Sequence, residues 1–288
     1  MTNPAAPAYV LTLTCVDQPG IVAAVSAAIS ALGGNILESN QYRDPVTNRF
    51  FMRVAFEAAG FAGADAVRAR LAPILTAYDM QAQVKEAGRK PKIILMVSKF
   101  DHALLHLLYQ IRVGWLRAEV VAIVSNHEEA RRIADHEGIR FVYLPVTPET
   151  KPMQEGAFLA LVEETGAELV VLARYMQVLS DDLTRKLSGR AINIHHSFLP
   201  AFKGANPYKQ AYTRGVKLIG ATSHYVTADL DEGPIIEQDV ARISHADTGE
   251  DLVAIGRDTE SRVLARAVKS HLERRVLLCG SRTVVFGK

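Results

Sequence analysis

Residues 92–98 read KIILMVS, and residues 167–173 read AELVVLA. Both runs are short and almost entirely apolar, so each predicts a strand that is covered on both faces. Further segments alternate in the same way, with strands at 118–125 and 140–145 and helices at 102–113, 128–138 and 153–166. This alternation predicts an open, mostly parallel α/β sheet with helices on both faces. Ligands bind such sheets beyond the carboxyl ends of the strands, so we expect a site in the loops after Val97, Ala173 and His195.

The chain before this sheet has a different organisation. Its order is strand, helix, strand, strand, helix, strand, beginning with YVLTLTCV at 9–16 and IVAAVSAAISAL at 21–32. Such a βαββαβ order predicts a ferredoxin-like domain. The charged segment KEAGRKPK, which contains Gly88 and Pro91, favours a linker. We therefore predict a domain over 1–85, a linker over 86–92 and a second domain over 93–288.

The composition excludes several classes of protein. The 288 residues carry a net charge of +2, so no field favours a nucleic-acid or membrane partner. Only two cysteines are present, Cys15 and Cys279, which fits a reducing compartment better than a disulfide framework. No signal peptide and no apolar run of membrane-spanning length are apparent, so we expect a cytoplasmic protein.

A second stretch carries the polar residues that a site would need. AINIHHSFLPAFKG, at 191–204, begins as a buried strand and then places two histidines together. Because side chains alternate along a strand, Asn193 and His195 should share one face and His196 should take the other. Two donors on one face could hold an oxyanion. Asp231, in the turn ADLDEGP at 228–234, could aim a carboxylate into the same cleft.

Each of these residues also has an ordinary structural explanation. A histidine at the end of a strand is more often structural than catalytic, and an aspartate in such a turn is usually solvated. Neighbouring histidines on a strand point apart, and no HExxH or CxxC motif accompanies them, so we predict no metal site. The loop after the first strand of the sheet contains neither GxGxxG nor a P-loop.

The first domain resembles a known family of small modules. The run VDQPGIVAAVSAAISALGGNILESNQY, at 16–42, is similar to ACT domains, which commonly bind amino acids at subunit interfaces. The resemblance implies an amino-acid effector near Asp17, Gly20, Asn35 and Ile36, and a homo-oligomer. The alternative is that these residues serve only the turn and the helix caps.

The second domain resembles the folate-dependent formyltransferase family. INIHHSFLPAFKG, at 192–204, and GATSHYVTADLDEGPII, at 220–236, are similar to that family's two motifs. The resemblance implies that 10-formyltetrahydrofolate binds here and that Asn193, His195 and Asp231 form a catalytic trio. It also implies a supporting role for His224, with Ser197 as a weaker candidate.

The same resemblance implies where the folate lies. LARYMQVLS, at 172–180, is similar to the segment that lines the family's pterin pocket. The folate contacts that it implies are Met176, Gln177, Val178 and Leu179, partly through their backbone. Gly204, in the loop after the histidines, is expected to line the cleft.

Two features separate this chain from some members of that family. The first loop, VSKFDHALLHLL at 97–108, lacks the Gly-rich sequence that would hold a ribonucleotide phosphate. No basic domain follows the catalytic domain, so transfer-RNA formylation is not indicated. The combination of an ACT-like domain with this catalytic domain resembles the members in which water accepts the formyl group.

That resemblance implies hydrolysis of 10-formyltetrahydrofolate to formate and tetrahydrofolate, which would supply formate for one-carbon and purine metabolism. Folate is then the substrate, and neither a cofactor nor a metal is expected. Two alternatives stay open at this point. One is a formyltransferase with an unidentified amine acceptor, and the other is an ACT-type amino-acid-binding regulator without activity.

Overall fold

The computed structural model describes residues 7–200 and 207–287. These residues form two compact units. The first unit contains 7–89 together with Glu273–Cys279 and 284–287, and the second contains Lys90–Leu272 together with Gly280–Thr283. Among the described residues, no helix has the length and apolar character needed to cross a membrane.

The first unit has the predicted βαββαβ order. Its elements are β1 (Ala8–Val16), α1 (Ile21–Ala31), β2 (Asn35–Asp44), β3 (Arg49–Glu57), α2 (Ala64–Ala77) and β4 (Gln81–Glu86). The strands form an antiparallel sheet in the order β2-β3-β1-β4. Alternate residues of β1 and β3 pack against the two helices and form the core of this unit. The ferredoxin-like fold expected from the sequence is confirmed.

The strand β3 is buried on both faces because the end of the chain returns to it. Phe50 and Met52 belong to the core beneath the helices, whereas Phe51 packs against Cys279 and Phe286. Cys279 ends β12 (Val276–Cys279), which pairs with β13 (Arg282–Val285) in a hairpin. The division predicted from sequence placed this segment in the second domain. Most of it lies instead with the first unit, since its apolar residues cover the second face of that sheet.

The second unit alternates strands and helices as far as β9. Its elements are β5 (Lys92–Val97), α3 (His102–Arg112), β6 (Glu119–Ser125), α4 (Arg131–Glu137), β7 (Phe141–Tyr143), α5 (Lys151–Thr165), β8 (Leu169–Leu172), α6 (Asp181–Lys186), β9 (Ala191–His195), α7 (Pro207–Arg214), β10 (Leu218–Tyr225), β11 (Ile235–Arg242) and α8 (Gly249–Leu272). The open, mostly parallel sheet predicted from the apolar runs is confirmed.

The order of the strands in the sheet determines where a ligand site can lie. Among the described residues, the seven strands of this sheet lie in the order β11-β10-β9-β8-β5-β6-β7, and β10 runs antiparallel to both of its neighbours, β9 and β11. The chain leaves β5 toward one edge of the sheet and later returns at β8 toward the other edge. The connections after β5 and β8 therefore diverge and leave a crevice between them, which is where doubly wound sheets bind ligands.

Candidate active site

The strand β9 carries Asn193 and His195 toward the cavity at the carboxyl end of the sheet. Ile192 and Ile194, on the opposite face, are 0% and 3% exposed and fix this orientation. The antiparallel neighbour β10 places His224 directly opposite Asn193. The two strands thus bring three of the predicted site residues together.

Asp231 reaches the same place from the turn between β10 and β11. Its Oδ2 lies 3.1 Å from His195 Nδ1, and its Oδ1 lies 3.7 Å from His224 Nε2. Its backbone adopts the left-handed region with a φ of 58°, which aspartate tolerates better than most residues. Gly233 lets the turn pack tightly, since a Cβ there would lie 1.7 Å from Tyr225 O. The carboxylate therefore bridges both imidazoles.

The hydrogen bonds of His224 define its role. His224 Nδ1 lies 2.9 Å from the carbonyl oxygen of Tyr225, so this nitrogen carries a proton and donates. Nε2 lies 3.7 Å from Asp231 Oδ1, toward which the protonated ring can donate; in the neutral ring it instead accepts from Asn193 Nδ2, 3.4 Å away. This contact holds the Asn193 amide beside the trio.

Asp231 stays ionised although it is largely buried. Burial would raise the pKa of its carboxyl, but hydrogen bonds and positive charge from His195 and His224 hold the pKa well below its usual range. His195 donates through Nδ1 to this carboxylate, so its other nitrogen is the one left for a ligand. His195 Nε2 is buried and has no hydrogen-bond partner among the described residues. His195 lines the cavity.

The cavity has a volume of about 830 Å³, which suits a ligand larger than a single amino acid. Met176, Gln177, Val178 and Leu179 all line it, as does the trio with His224. The loop that carries these four residues is held by Ser98, whose Oγ accepts from the Met176 amide over 2.9 Å. The structure thus brings the predicted folate segment and the catalytic trio into one cavity.

Two predicted residues are placed differently. Ser197 is 4% exposed and is not among the described residues that line the cavity; its carbonyl oxygen accepts a 2.9 Å hydrogen bond from Thr222 Oγ1. Gly204 lies outside the described residues.

His196 faces the cavity, which the alternation rule did not predict. That expectation was wrong because β9 ends at His195, and the rule does not extend beyond the strand. The His196 ring centroid lies 5.1 Å from that of His195 and 6.2 Å from that of Tyr208. Burial, followed by the charges of Arg174 and His195, lowers the pKa of His196 to about 4. The ring is therefore neutral at physiological pH.

A second polar group in the cavity was not predicted from the sequence. Its centre is Glu260 on α8, whose side chain is 1% exposed. Its carboxylate accepts from Tyr208 Oη, lies 3.0 Å from His102 Nε2 and lies 3.3 Å from Arg174 Nε. We call these four residues the Glu260 cluster. The sequence did contain a signal for this group, because Glu260 is a charged residue on the face of α8 that is otherwise formed by buried, mostly uncharged residues.

The Glu260 cluster also keeps its carboxylate ionised. Burial would raise the pKa of Glu260, but the hydrogen bonds from His102 and Tyr208 and the charge of Arg174 lower it. Tyr208 comes this close because Gly256, one turn earlier on α8, has no side chain. A Cβ at Gly256 would lie 2.2 Å from the Tyr208 ring.

The residues expected to bind an effector lie at two ends of the first unit's sheet. Asp17 and Gly20 flank the turn after β1, at the end where Val16 pairs with Arg49. Asn35 and Ile36 begin β2, at the opposite end of the sheet. Asp17 Oδ2 accepts an ion pair from Arg43 Nε at 2.8 Å. One chain does not bring these two pairs of residues together.

Comparisons with known proteins agree with both units. The ACT domain family matches residues 9–71, and the Formyl transferase family matches residues 91–268. The fold and the Asn-His-Asp site thus define an enzyme built on the formyltransferase fold. The formyltetrahydrofolate deformylase of Corynebacterium sp. (strain P-1) is 50% identical over 281 residues, covering 96% of this chain and 98% of its own.

Solved structures give the same result. The crystal structure of a formyltetrahydrofolate deformylase from Burkholderia mallei is 48% identical with a TM-score of 0.93, covering 98% of this chain and 100% of its own. A glycinamide ribonucleotide transformylase from Symbiobacterium toebii is 29% identical with a TM-score of 0.65, covering 70% of this chain and 97% of its own. The chain belongs to the formyltetrahydrofolate deformylase family.

The close approach of Tyr208 to α8 gives a first prediction. Gly256→Ala should destabilise the protein by about 1–3 kcal/mol, because the new methyl group overlaps the tyrosine ring. The matched control is Gly156→Ala in α5, where a Cβ meets nothing within 4 Å. That variant should be stabilised by about 0.5–1 kcal/mol, because alanine favours helix. Urea unfolding of both variants measures the two values, and equal shifts would contradict the packing described.

The low pKa of His196 gives a second prediction. Between the unfolded pKa of about 6.5 and the folded pKa of about 4, the unfolded chain binds more protons, so stability falls as the pH falls. His196→Gln should therefore reduce the loss of unfolding free energy between pH 7 and pH 5 by about 2 kcal/mol. Equilibrium unfolding at both values tests this. An unchanged pH dependence in the variant would show that His196 titrates normally.

Proposed function

We propose that this chain hydrolyses 10-formyltetrahydrofolate to formate and tetrahydrofolate. The proposal is carried by one observation: His195 lines the cavity with a buried Nε2 that has no hydrogen-bond partner among the described residues, while its Nδ1 is held by Asp231. Asn193 lies on the same strand face. The relatives that match almost the whole chain carry the name of this activity.

The folate would bind with its pterin against residues 176–179. Leu179 and Val226 line the cavity and each packs against the core of the second unit, so this side of the cavity is apolar. Met176 and Val178 are 53% and 55% exposed, which leaves their side chains available to a ligand. The formyl group on N10 would then lie toward Asn193 and His195.

The trio supplies the groups that hydrolysis requires. A water oxygen attacks the formyl carbon, and its proton passes to the carboxylate of Asp231. Asn193 Nδ2 and protonated His195 stabilise the oxyanion that develops on the formyl oxygen. When the C–N10 bond breaks, N10 takes a proton from His195 Nε2, and formate and tetrahydrofolate leave.

The reaction as proposed uses no cofactor and no metal ion, because the trio itself provides the base, the acid and the oxyanion donors. Formate release should therefore persist in the presence of a chelator. The formate would enter one-carbon and purine metabolism. The catalytic trio is complete, which argues against a regulator that has lost activity, and the nearly full-length relatives favour water over an amine as the acceptor.

We also propose that the first unit binds an amino acid between two copies of this chain in the cytoplasm. Asp17 and Gly20 lie far from Asn35 and Ile36 within one chain, so a ligand that contacts both pairs requires a homo-oligomer. Cys15 and Cys279 are both free thiols, as a reducing compartment would keep them. Sedimentation with and without candidate amino acids tests this; a monomer under all conditions would refute the paired site.

The catalytic assignment gives a third prediction. Asn193→Ala should lower the turnover number for formate release by about 10²–10³-fold, because one oxyanion donor is lost. Asp231→Asn should lower it at least as much, since a neutral amide cannot accept the proton from water. Formate is measured after adding 10-formyltetrahydrofolate alone, without any amine.

Glu232→Gln is the control for Asp231→Asn, because it removes a neighbouring carboxylate of the same turn that is exposed and does not line the cavity. It should retain the rate of the unaltered enzyme. Formate release that survives in Asp231→Asn, or that is lost equally in Glu232→Gln, would overturn the role of Asp231.

A further inference from the structure

The Glu260 cluster lines the same cavity as the catalytic trio and residues 176–179. If the folate lies along 176–179, the attacking molecule must approach from elsewhere in the cavity. His196 lies between the trio and the cluster, with its ring 5.1 Å from His195 and 6.2 Å from Tyr208. Arg174 and Glu260 line the same cavity.

The Glu260 cluster forms one wall of the cavity, and this wall has more unpaired hydrogen-bond donors than unpaired acceptors among the described residues. The Glu260 carboxylate already accepts from Tyr208 Oη, lies 3.0 Å from His102 Nε2 and is ion-paired with Arg174 Nε over 3.3 Å. Arg174, which is 9% exposed and lines the cavity, has two buried nitrogens, Nε and Nη1, without a hydrogen-bond partner among the described residues. A guanidinium only donates. The wall therefore offers a donor to a small molecule, and its one carboxylate is already engaged.

The unpaired donor on this wall favours water over an amine as the molecule that attacks the formyl carbon. Water has two lone pairs, so its oxygen can accept from Arg174 with one and attack the formyl carbon with the other. A neutral amine has a single lone pair, which must point at the formyl carbon and cannot also accept from Arg174. The N–H groups of the amine would instead point at the N–H groups of Arg174, which are also donors. An amine therefore leaves the buried Nη1 of Arg174 without an acceptor, which is costly.

The backbone of Arg174 adopts a conformation that residues other than glycine rarely enter. Its φ is 66°, in the left-handed region that glycine adopts without strain and that other residues rarely enter. The loop is fixed there, because Ser98 N donates to Arg174 O over 3.2 Å and Ser98 Oγ accepts from Met176 N. Strained positions of this kind concentrate at functional sites.

We propose that Arg174, oriented by Glu260, selects water as the acceptor of the formyl group. The inference rests on the proposed function and adds the residue that excludes amines. In hydrolysis an O–C bond forms, the C–N10 bond breaks and water gives up a proton as N10 gains one. With an amine, an N–C bond would form instead, the amine would lose the proton, and the product would be an N-formyl amine.

The test uses the full chain with 10-formyltetrahydrofolate and millimolar glycinamide as the amine probe. Formate and N-formylglycinamide are both quantified by mass spectrometry. The unaltered enzyme should give formate. Arg174→Gly, which the backbone accepts without strain, should raise the ratio of N-formylglycinamide to formate by about tenfold or more. Arg174→Lys, which keeps a buried cationic donor, should retain the original ratio.

Folding of each variant is checked by circular dichroism. If Arg174→Gly does not fold because Glu260 has lost its counter-ion, the double variant Arg174→Gly/Glu260→Gln removes both charges and is judged by the same ratio. An unchanged ratio in a folded variant that still releases formate would overturn this inference alone. An unaltered enzyme that releases no formate would overturn the proposed function instead.

Discussion

A buried carboxylate needs compensating donors, and this requirement joins two strands of the catalytic unit to one turn. Asp231 is paired with His195 from the end of β9 and with His224 from β10, so the two strands must pair in the observed register. A slip of one residue in β9 would turn Asn193 and His195 away from the cavity. The turn can come close because Gly233 has no side chain. Strand pairing and catalytic geometry therefore depend on the same contact.

The cavity holds a second buried carboxylate, that of Glu260, and both remain ionised because each has its own donors. The partners of Asp231 are two imidazoles, from His195 and His224. Those of Glu260 are a guanidinium, a phenol and one imidazole, from Arg174, Tyr208 and His102. Each carboxylate is thus compensated by its own set of side chains within one cavity.

The sequence was most informative where a property is local. Alternation along β9 placed Asn193 and His195 on one face, and the apolar runs predicted the parallel sheet. The prediction for His196 failed because it depended on where the strand ends, which a pattern locates only to within a few residues. The Glu260 cluster escaped notice because its members come from α3, α7, α8 and the loop after β8. Only the strand order of the sheet brings such distant segments together.

The C-terminal hairpin means that the first unit is discontinuous in sequence. Phe51 on β3 is covered by Cys279 and Phe286, and Arg53 Nε donates to Glu273 O over 3.1 Å. Roughly 190 residues separate the end of β4 from the start of β12, so at about 5–20 residues per second a ribosome needs on the order of 10–40 s to supply them. During that interval one face of the nascent sheet lacks its cover. The unit that is synthesised first is therefore among the last to be completed.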